Sequence, residues 1–431
     1  MKRLHIFLFT VAMGLMATTA RAELTIEITQ GSDDPASIAV VPFAWQGNGA
    51  PPADIAEIVD SDLARSGQFA PVARVDMLGR PTTETDIFYR DWRAINAEYL
   101  LIGRASGVNP VRVDYELYDV LRQTRILTGS QSGPPSEVRM VAHRVADAVY
   151  EKLTGVPGAF ATKLLYITVD RQDGGGGLSR LTLSDSDGAS PVVLLKSGEP
   201  LLTPTWSPDA RHIAYVSFES GRPAIYRQEL ATGKRQQLTN FKGLNSSPAW
   251  SPDGRSMAMV LSKGGNPDIY LMDLASGQLK QLTRHYAIDT EPTWMPDGNA
   301  ILFTSDRGGK PQIYRYDLRT GATDRVTFEG SYNARPRISQ DGRSMVMVHR
   351  QEGRFHIALQ DLVTNRVQIL TQTDLDESPS IAPNGSMVLY ATKQAGRGIL
   401  AAVAVDGAAK FSLPARQGDV REPAWSPYLY R

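Results

Sequence analysis

The sequence predicts a small α/β domain followed by a six-bladed β-propeller that its own last strand closes. Three observations carry that expectation. A unit of Pro, any residue, an aromatic or aliphatic residue and then a Ser-Pro-Asp-Gly-like turn recurs six times at near-constant spacing in the second half of the chain. The last copy breaks off after one strand, and the residues before the first copy supply the three strands it lacks. The first third has no such repeat and mixes helical with strand-like periodicity.

Residues 1–22 read as an export signal. Lys2 and Arg3 precede an apolar run of 12 residues, Ile6 to Ala17, and Ala20-Arg21-Ala22 is an A-x-A cleavage signature. A helix needs roughly 20 apolar residues to span a bilayer, so an uncleaved anchor is the weaker alternative. Glu23, not cysteine, follows the site, so no lipid-modified N-terminus is expected. Removing 1–22 takes away Lys2, Arg3 and Arg21 and no acid, leaving 43 basic against 46 acidic side chains, a net of −3. No later segment is apolar and long enough to cross a membrane as a helix. The expected product is a mature chain outside the cytoplasm.

Residues 23–154 read as the α/β domain, opening with an arm over 23–34. In that arm Leu24, Ile26 and Ile28 alternate with Glu23, Thr25, Glu27 and Thr29. Two readings stay open: an edge strand of this domain, or a free arm that adds a strand to a partner's sheet. SIAVVPF (37–43) reads as a buried strand. Ile55, Ile58, Val59 and Leu63 mark an amphipathic helix that stops near Gly67. Strands in hairpins follow at 99–106, 111–120 and 125–131. A last helix begins after Pro135, with Val138, Val141, Val145 and Val149 on one face. A mixed sheet with two or three packed helices is expected, and 155–163 reads as the linker.

Residues 164–431 read as the propeller. The repeated prolines stand at 204, 248, 292, 336, 379 and 423, separated by 44, 44, 44, 43 and 44 residues. Short β-branched and aromatic runs follow each unit, such as SMAMVLS, DIYLMDLASG and QLKQLT after Gly254. Four strands in about 44 residues make one propeller blade. Proline presets φ in each turn and glycine takes its left-handed position. Trp206, Trp250, Trp294 and Trp425 occupy equivalent places and are expected to pack between blades. LLYITVD, SRLTLSDSDG and VVLLK (from 164, 179 and 192) match the second, third and fourth strands of a blade. Pro423 to Tyr430 supplies the missing first strand, which removes the open edge.

The chemistry expected is correspondingly thin. Absence of cysteine excludes thiolate nucleophiles, Cys-ligated metal centres and disulfides. With 46 basic and 46 acidic residues in the whole chain, no basic excess points to nucleic acid. A propeller beside a second domain invites a hydrolase reading, peptidase or lactonase-like. However, Gly129-Ser130-Gln131-Ser132-Gly133 places glutamine where a nucleophile elbow needs serine. His143, His212, His285, His349 and His356 show no metal-ligand spacing beside a carboxylate. Gly174–Gly177 lacks the lysine and helix of a phosphate loop and reads as a hairpin loop. Asp185, Asp187 and Gly188 half-match a calcium loop but read as a turn. Asp374, Asp376 and Glu377 read as solvated loop charges. No cofactor, metal or catalytic residue is expected.

A binding site is expected at the loops that enter each innermost strand, just before the repeated prolines. They hold Leu202-Thr203, Asn245-Ser246-Ser247, Asp289-Thr290-Glu291, Asn333-Ala334-Arg335, Asp376-Glu377-Ser378 and Arg421-Glu422. Mixed charges and amides around one mouth suit a polar protein or peptide better than an apolar small molecule. Unselected variation of surface loops is the competing explanation, and a glycan- or small-ligand-binding propeller is a further one.

The signal, the α/β domain and the six blades, with TEPTW (290–294), PQIYRYDL (311–318), DLDESPSIAPNG (374–385) and PAWSPYL (423–429), together resemble the TolB family of the periplasmic Tol-Pal envelope system. The resemblance implies a non-enzymatic periplasmic adaptor that supports outer-membrane integrity and constriction during division. It implies Pal, a lipoprotein, as a partner at the channel entrance, and TolA as a partner of the N-terminal arm. Bacteriocins and outer-membrane proteins are further implied partners. Carried onto this chain, the Pal-binding residues are Asn245, Ser247, Thr290 and Glu291, and by blade equivalence Asn333, Arg335, Glu377 and Arg421. The TolA-binding residues are Glu23, Leu24, Thr25, Ile26, Glu27 and Ile28. Leu244 departs from the polar residue expected beside Asn245.

Overall fold

The computed structural model describes residues 26–27, 35–171, 177–373, 375–407, 409–413 and 418–430. The export signal, most of the arm, the glycine run at 174–176 and Asp374 lie outside them.

The first domain is a mixed sheet with helices on both faces. Its strands run in the order Phe69–Pro71, Ala36–Val40, Tyr99–Ser106, Val111–Asp119, Thr124–Gly133, with Ala44–Trp45 also pairing Tyr99–Ser106. The strands around Ala36–Val40 are parallel and the hairpins antiparallel. Helix α1 (Ile55–Arg65) starts at Asp54, whose carboxylate accepts from Glu57 N at 3.0 Å. The chain turns away at Gly67, whose φ of 71° is left-handed. A short helix α2 (Tyr89–Ala94) and the strand Phe69–Pro71 carry no sequence period and were not foreseen. Helix α3 (Val138–Thr154) runs on to Gly155. Strand alternation divides two cores. Ile38 and Val40 pack under α1 and α3, while Ala39 and Val41 pack with Trp92 of α2. Each fully buried isoleucine or valine among them contributes about 1.5–3 kcal/mol.

The second domain has six blades around a channel. Five are continuous. In each, the innermost strand ends at the repeated aromatic or aliphatic position: Leu201–Trp206, Asn245–Trp250, Asp289–Trp294, Asn333–Ile338 and Glu377–Ile381 open blades 1 to 5. The sixth is stitched from both ends. Asp419–Trp425 pairs antiparallel with Lys163–Arg171, followed by Gly177–Asp185 and Val192–Ser197. The Ser-Pro-Asp-Gly turns close as expected: His212 N and Arg211 N donate to Ser207 Oγ and Asp209 Oδ1 at 2.9 and 3.0 Å. Gly254, Gly298 and Gly342 are left-handed there, and Ala210 takes the same conformation in blade 1. The tryptophans bridge blades. Trp206 Nε1 donates to Ala424 O and Trp294 Nε1 to Ala249 O, each at 3.0 Å, across to the preceding blade.

The first domain sits on the turn face of blades 5 and 6, opposite the loops that enter the innermost strands. Asn384 Nδ2, in the blade 5 turn, donates to Pro157 O at 2.9 Å, and Gln68 Nε2 donates to Asp406 Oδ2 at 3.0 Å. Arg139 of α3 holds both Asp185 and Asp187 of blade 6, and Lys163 Nζ meets Asp185 at 2.6 Å. Fully buried behind them, His143 Nδ1 contacts Asp62 Oδ2 at 2.6 Å, and Asp62 also pairs with Arg65. Asp147 accepts from Phe160 N and Ala161 N at 2.7 and 3.1 Å, which pins the linker. Asp185 and Asp187 do form a turn, as expected, but a turn that carries half of this ion network.

Burial presses the His143 imidazole down, yet the Asp62 carboxylate, then Asp187, lift its pKa above the ordinary histidine value on balance. A histidine with a raised folded pKa contributes stability below its unfolded value, near 6.5, and loses it as pH climbs through the folded one. Asp147, raised by burial to about 6, acts in the same sense, but its contribution is lost between about pH 4 and 6, below that window. Thermal unfolding from pH 6.5 to 9 should therefore show the native chain losing stability with a steeper slope than His143→Gln. Parallel slopes would remove His143 from the account.

Candidate functional site

Each innermost strand carries one irregularity in the same place. The pairing register slips just before the repeated proline, between Leu202 and Thr205, Ser246 and Ala249, Thr290 and Thr293, Ala334 and Arg337, Glu377 and Ser380, and Arg421 and Ala424. Proline has no N–H to give the ladder. The residue before it takes a left-handed φ: Thr203 47°, Ser247 49°, Glu291 55°, Arg335 55°, Ser378 55°, Glu422 53°. Such angles are uncommon outside glycine, and bulges of this kind re-aim side chains. All six residues line one cavity of about 360 Å³ along the propeller axis.

Arg335 bridges this ring. Its Nε meets Glu291 at 2.9 Å, its Nη1 meets Glu422 at 3.3 Å, and it also contacts Ser378 Oγ. Blades 3, 4, 5 and 6 are thereby cross-linked through one guanidinium. Burial opposes that charge, but Glu422, Glu291 and Glu377 hold its pKa above the ordinary arginine value.

Two residues earlier the side chains do a different job. Asn245 is fully buried, and its Nδ2 donates to Phe241 O and Gly243 O at 2.8 and 3.2 Å. Asn333 is fully buried too, donating to Gln312 Oε1 and Glu329 O at 2.8 Å each and meeting His349 Nδ1 at 2.7 Å. Asp289 takes both Arg307 bonds at 2.9 and 2.8 Å. Asp376, expected as a solvated charge, is fully buried and accepts from Thr371 and Thr373. These side chains hook the entering loops in place; Asn245 and Asn333 do not reach the surface of the mouth.

The eight residues named from the sequence thus fall in different places. Ser247, Glu291 and Arg335 meet at the channel mouth. Glu377 and Arg421 line a separate cleft of about 200 Å³ between blades 5 and 6. Thr290 is half-buried beside Glu291, and Leu244 packs half-buried on the blade 3 core. Trp294 and Trp425, expected only as packing, also line the channel half-exposed. The sequence reading missed an apolar arc on the loops entering blades 3 to 5: Tyr286 is 85 % exposed, Phe328 69 %, Ile288 49 % and Leu375 40 %. Lone apolar residues in the loops before the prolines were its only trace.

Of the arm, Ile26–Glu27 pairs antiparallel with Lys410–Leu413, the outer strand of blade 5, in the register Ile26 to Phe411 and Glu27 to Lys410. That edge belongs to the propeller, so neither sequence reading placed it. Glu23, Leu24, Thr25 and Ile28 lie outside the described residues.

The amino-terminal family model, described as the TolB amino-terminal domain, matches residues 24–126, and the TolB beta propeller domain matches 150–429. The chain belongs to the TolB family. It is 63% identical over 418 residues to the Tol-Pal system protein TolB of a Marinomonas species and 58% identical over 416 residues to that of Pseudomonas syringae, covering 96% of both chains in each case. The crystal structure of TolB from Acinetobacter baumannii matches with a TM-score of 0.85 at 43% identity, over 94% of this chain and 100% of that one. This TolB-family chain is a non-enzymatic, periplasmic Tol-Pal component. Among the described residues no helix is long and apolar enough to cross a membrane. One trio there, His143, Asp185 and Asp187, brings ligand-type atoms within 4.8 Å, a proximity that sequence spacing did not reveal. Its carboxylates are already neutralised by Arg139 and Lys163, so it is an ion network between the domains.

The hooks are testable. Replacing Asn333 with alanine strands Gln312 and the Glu329 carbonyl, which should cost about 1–3 kcal/mol. Hydrogen exchange over 327–333 should quicken while blade 1 is unchanged; protection equal to the native chain would mean the hook holds nothing.

Proposed function

We propose that this chain is a two-surface adaptor that captures Pal at the channel mouth and TolA with its N-terminal arm. In that role it supports outer-membrane integrity and constriction during division, and the mouth is also open to bacteriocins. The observation that carries the reading is the arc of Tyr286, Ile288, Phe328 and Leu375 beside a charged ring, on the face the first domain leaves open. Aromatic anchors next to satisfied polar groups are what protein interfaces use for most of their affinity. Ser247, Thr290, Glu291, Arg335, Glu377 and Arg421 are the polar contacts in this reading. Asn245 and Asn333 act beneath them by holding loop shape.

For the arm, support comes from where its described residues lie, on the outer edge of a propeller sheet. Two residues in a ladder at a sheet edge are cheap to exchange, and an alternating strand such as 23–29 suits addition to a partner's sheet. Docking on blade 5 would then compete with TolA for the arm.

Calorimetric titration of the mature chain with soluble Pal and with TolA tests both halves. Phe328→Ala with Thr290→Arg should weaken Pal binding by about 100-fold, the loss of one or two hot spots, with unfolding temperature unchanged. Deleting 23–34 should abolish TolA binding and spare the Pal contact. Native-like Pal affinity in the first variant, or joint loss of both partners in the second, would sink the two-surface reading.

A further inference from the structure

Below the Arg335 ring, the next inward-facing tier of the channel is set by the residues after the repeated prolines: Thr205, Ala249, Thr293, Arg337, Ser380 and Ala424. One of the six is a cation. Arg337 stands in the cavity half-exposed to its interior and enclosed by the surrounding blades. Its Nη1 donates to the Pro336 carbonyl at 2.8 Å, its only hydrogen bond among the described residues. A guanidinium has five N–H donors in a fork that matches a carboxylate or a phosphate.

No carboxylate forms an ion pair with it among the described residues. The nearest acids, Glu291 and Glu422, are both committed to Arg335 one tier above. Burial presses the Arg337 pKa below the ordinary arginine value, Glu291 and Glu422 pull it back, and Arg335 adds to the depression. The neighbouring groups are donors as well. Ser380 Oγ accepts from Trp425 N at 2.9 Å, which leaves its own hydrogen to give. Thr203 Oγ1, in the ring above, is buried with no partner. The lower tier therefore holds a cation with no carboxylate partner among the described residues, beside a Ser380 hydroxyl whose hydrogen is free to give.

We propose that the channel holds an anion at Arg337, a carboxylate or an inorganic phosphate-like ion, and rejects cations there. The guanidinium takes the ligand through two parallel N–H bonds, and the hydroxyls of Thr205, Thr293 and Ser380 complete the shell. Two sources offer this chemistry: a free ion that enters from the periplasm, or a side-chain carboxylate of a protein seated on the mouth. The site itself does not depend on the partner reading above.

The site is tested with bromide and phosphate as probes. Crystals of the mature protein soaked in sodium bromide should show an anomalous peak in contact with the Arg337 guanidinium. In solution, sodium phosphate should raise the unfolding temperature by about 2–4 °C. Arg337→Gln should abolish that rise and Arg337→Lys should keep part of it. Equal responses in the native chain and Arg337→Gln, no bromide at Arg337, or stabilisation by calcium that needs Arg337 would each overturn the proposal. A Pal titration in phosphate separates the sources. If a partner's carboxylate fills the site, phosphate competes and Arg337→Gln binds Pal about tenfold more weakly; if a free ion fills it, Pal affinity is the same in both.

Discussion

Ring closure by one antiparallel ladder is the constraint on which the molecule depends. Asp419–Trp425 must travel back to Lys163–Arg171, or blade 6 has three strands and the ring two open edges. The ladder ends where the two domains are tied. Trp425 Nε1 donates to Thr162 Oγ1 at 2.8 Å, and Ser426 exchanges bonds with Lys163. The linker residues just before Thr162 are those that Asp147 of α3 holds. Closure of the propeller and docking of the first domain are therefore one structural event, built on one short stretch of chain. Gly158 fits this crowding: a Cβ there would run into the Asp147 side chain.

The bulge before each proline is the second organising device, and it explains where sequence reading succeeded and failed. The period, the turn chemistry and the fragments at both ends were enough to number the blades and find the clasp. The mouth was harder. In an unbroken strand, residues two apart share a face, so Asn245 and Ser247, or Asn333 and Arg335, read as partners on one rim. The register slips between them and the proline. One member of each pair turns down to hook its loop, and the other turns into the channel on a left-handed φ. A side-chain period of two cannot announce its own interruption. Asp376 read as a solvent charge because it stands in an acidic loop run, and the sequence does not show that Thr371 and Thr373 turn back to it.

The domain junction was illegible for a different reason. Valines on α3 showed which face enters the core, and nothing in the spacing of Arg139, His143 and Asp147 on the opposite stripe said what would cover them. That stripe is an interface. Buried charges are tolerable only when each has its partner, because removing one leaves the other stranded at a cost of several kcal/mol. Asp62 with His143 and Arg65, and Arg139 with Asp185 and Asp187, satisfy one another only when α1, α3 and blade 6 are assembled. Helical periodicity sorts polar from apolar faces, but it holds no information about what will cover the polar one.

Blade 5 is where these devices converge. Its outer strand accepts Ile26–Glu27, its turn carries Asn384 against the linker, and its inner strand gives Ser378 to Arg335. Phe411, the pairing partner of Ile26, also lies under the Arg65 guanidinium at 5.6 Å. Under the two-surface reading, arm and mouth are thus the two margins of a single hydrogen-bonded sheet. Coupling between binding sites requires an element whose state both ligands bias, and any such bias is reciprocal in free energy. A partner that shifts Glu377 or Ser378 at the mouth acts on the strand whose ladder leads, through two others, to the edge that holds the arm. Release of the arm acts back along the same ladder. Among the described residues, blade 5 is the sheet that both pairs with Ile26–Glu27 and gives a side chain to the Arg335 ring, so under that reading it is the element through which the two surfaces would bias each other.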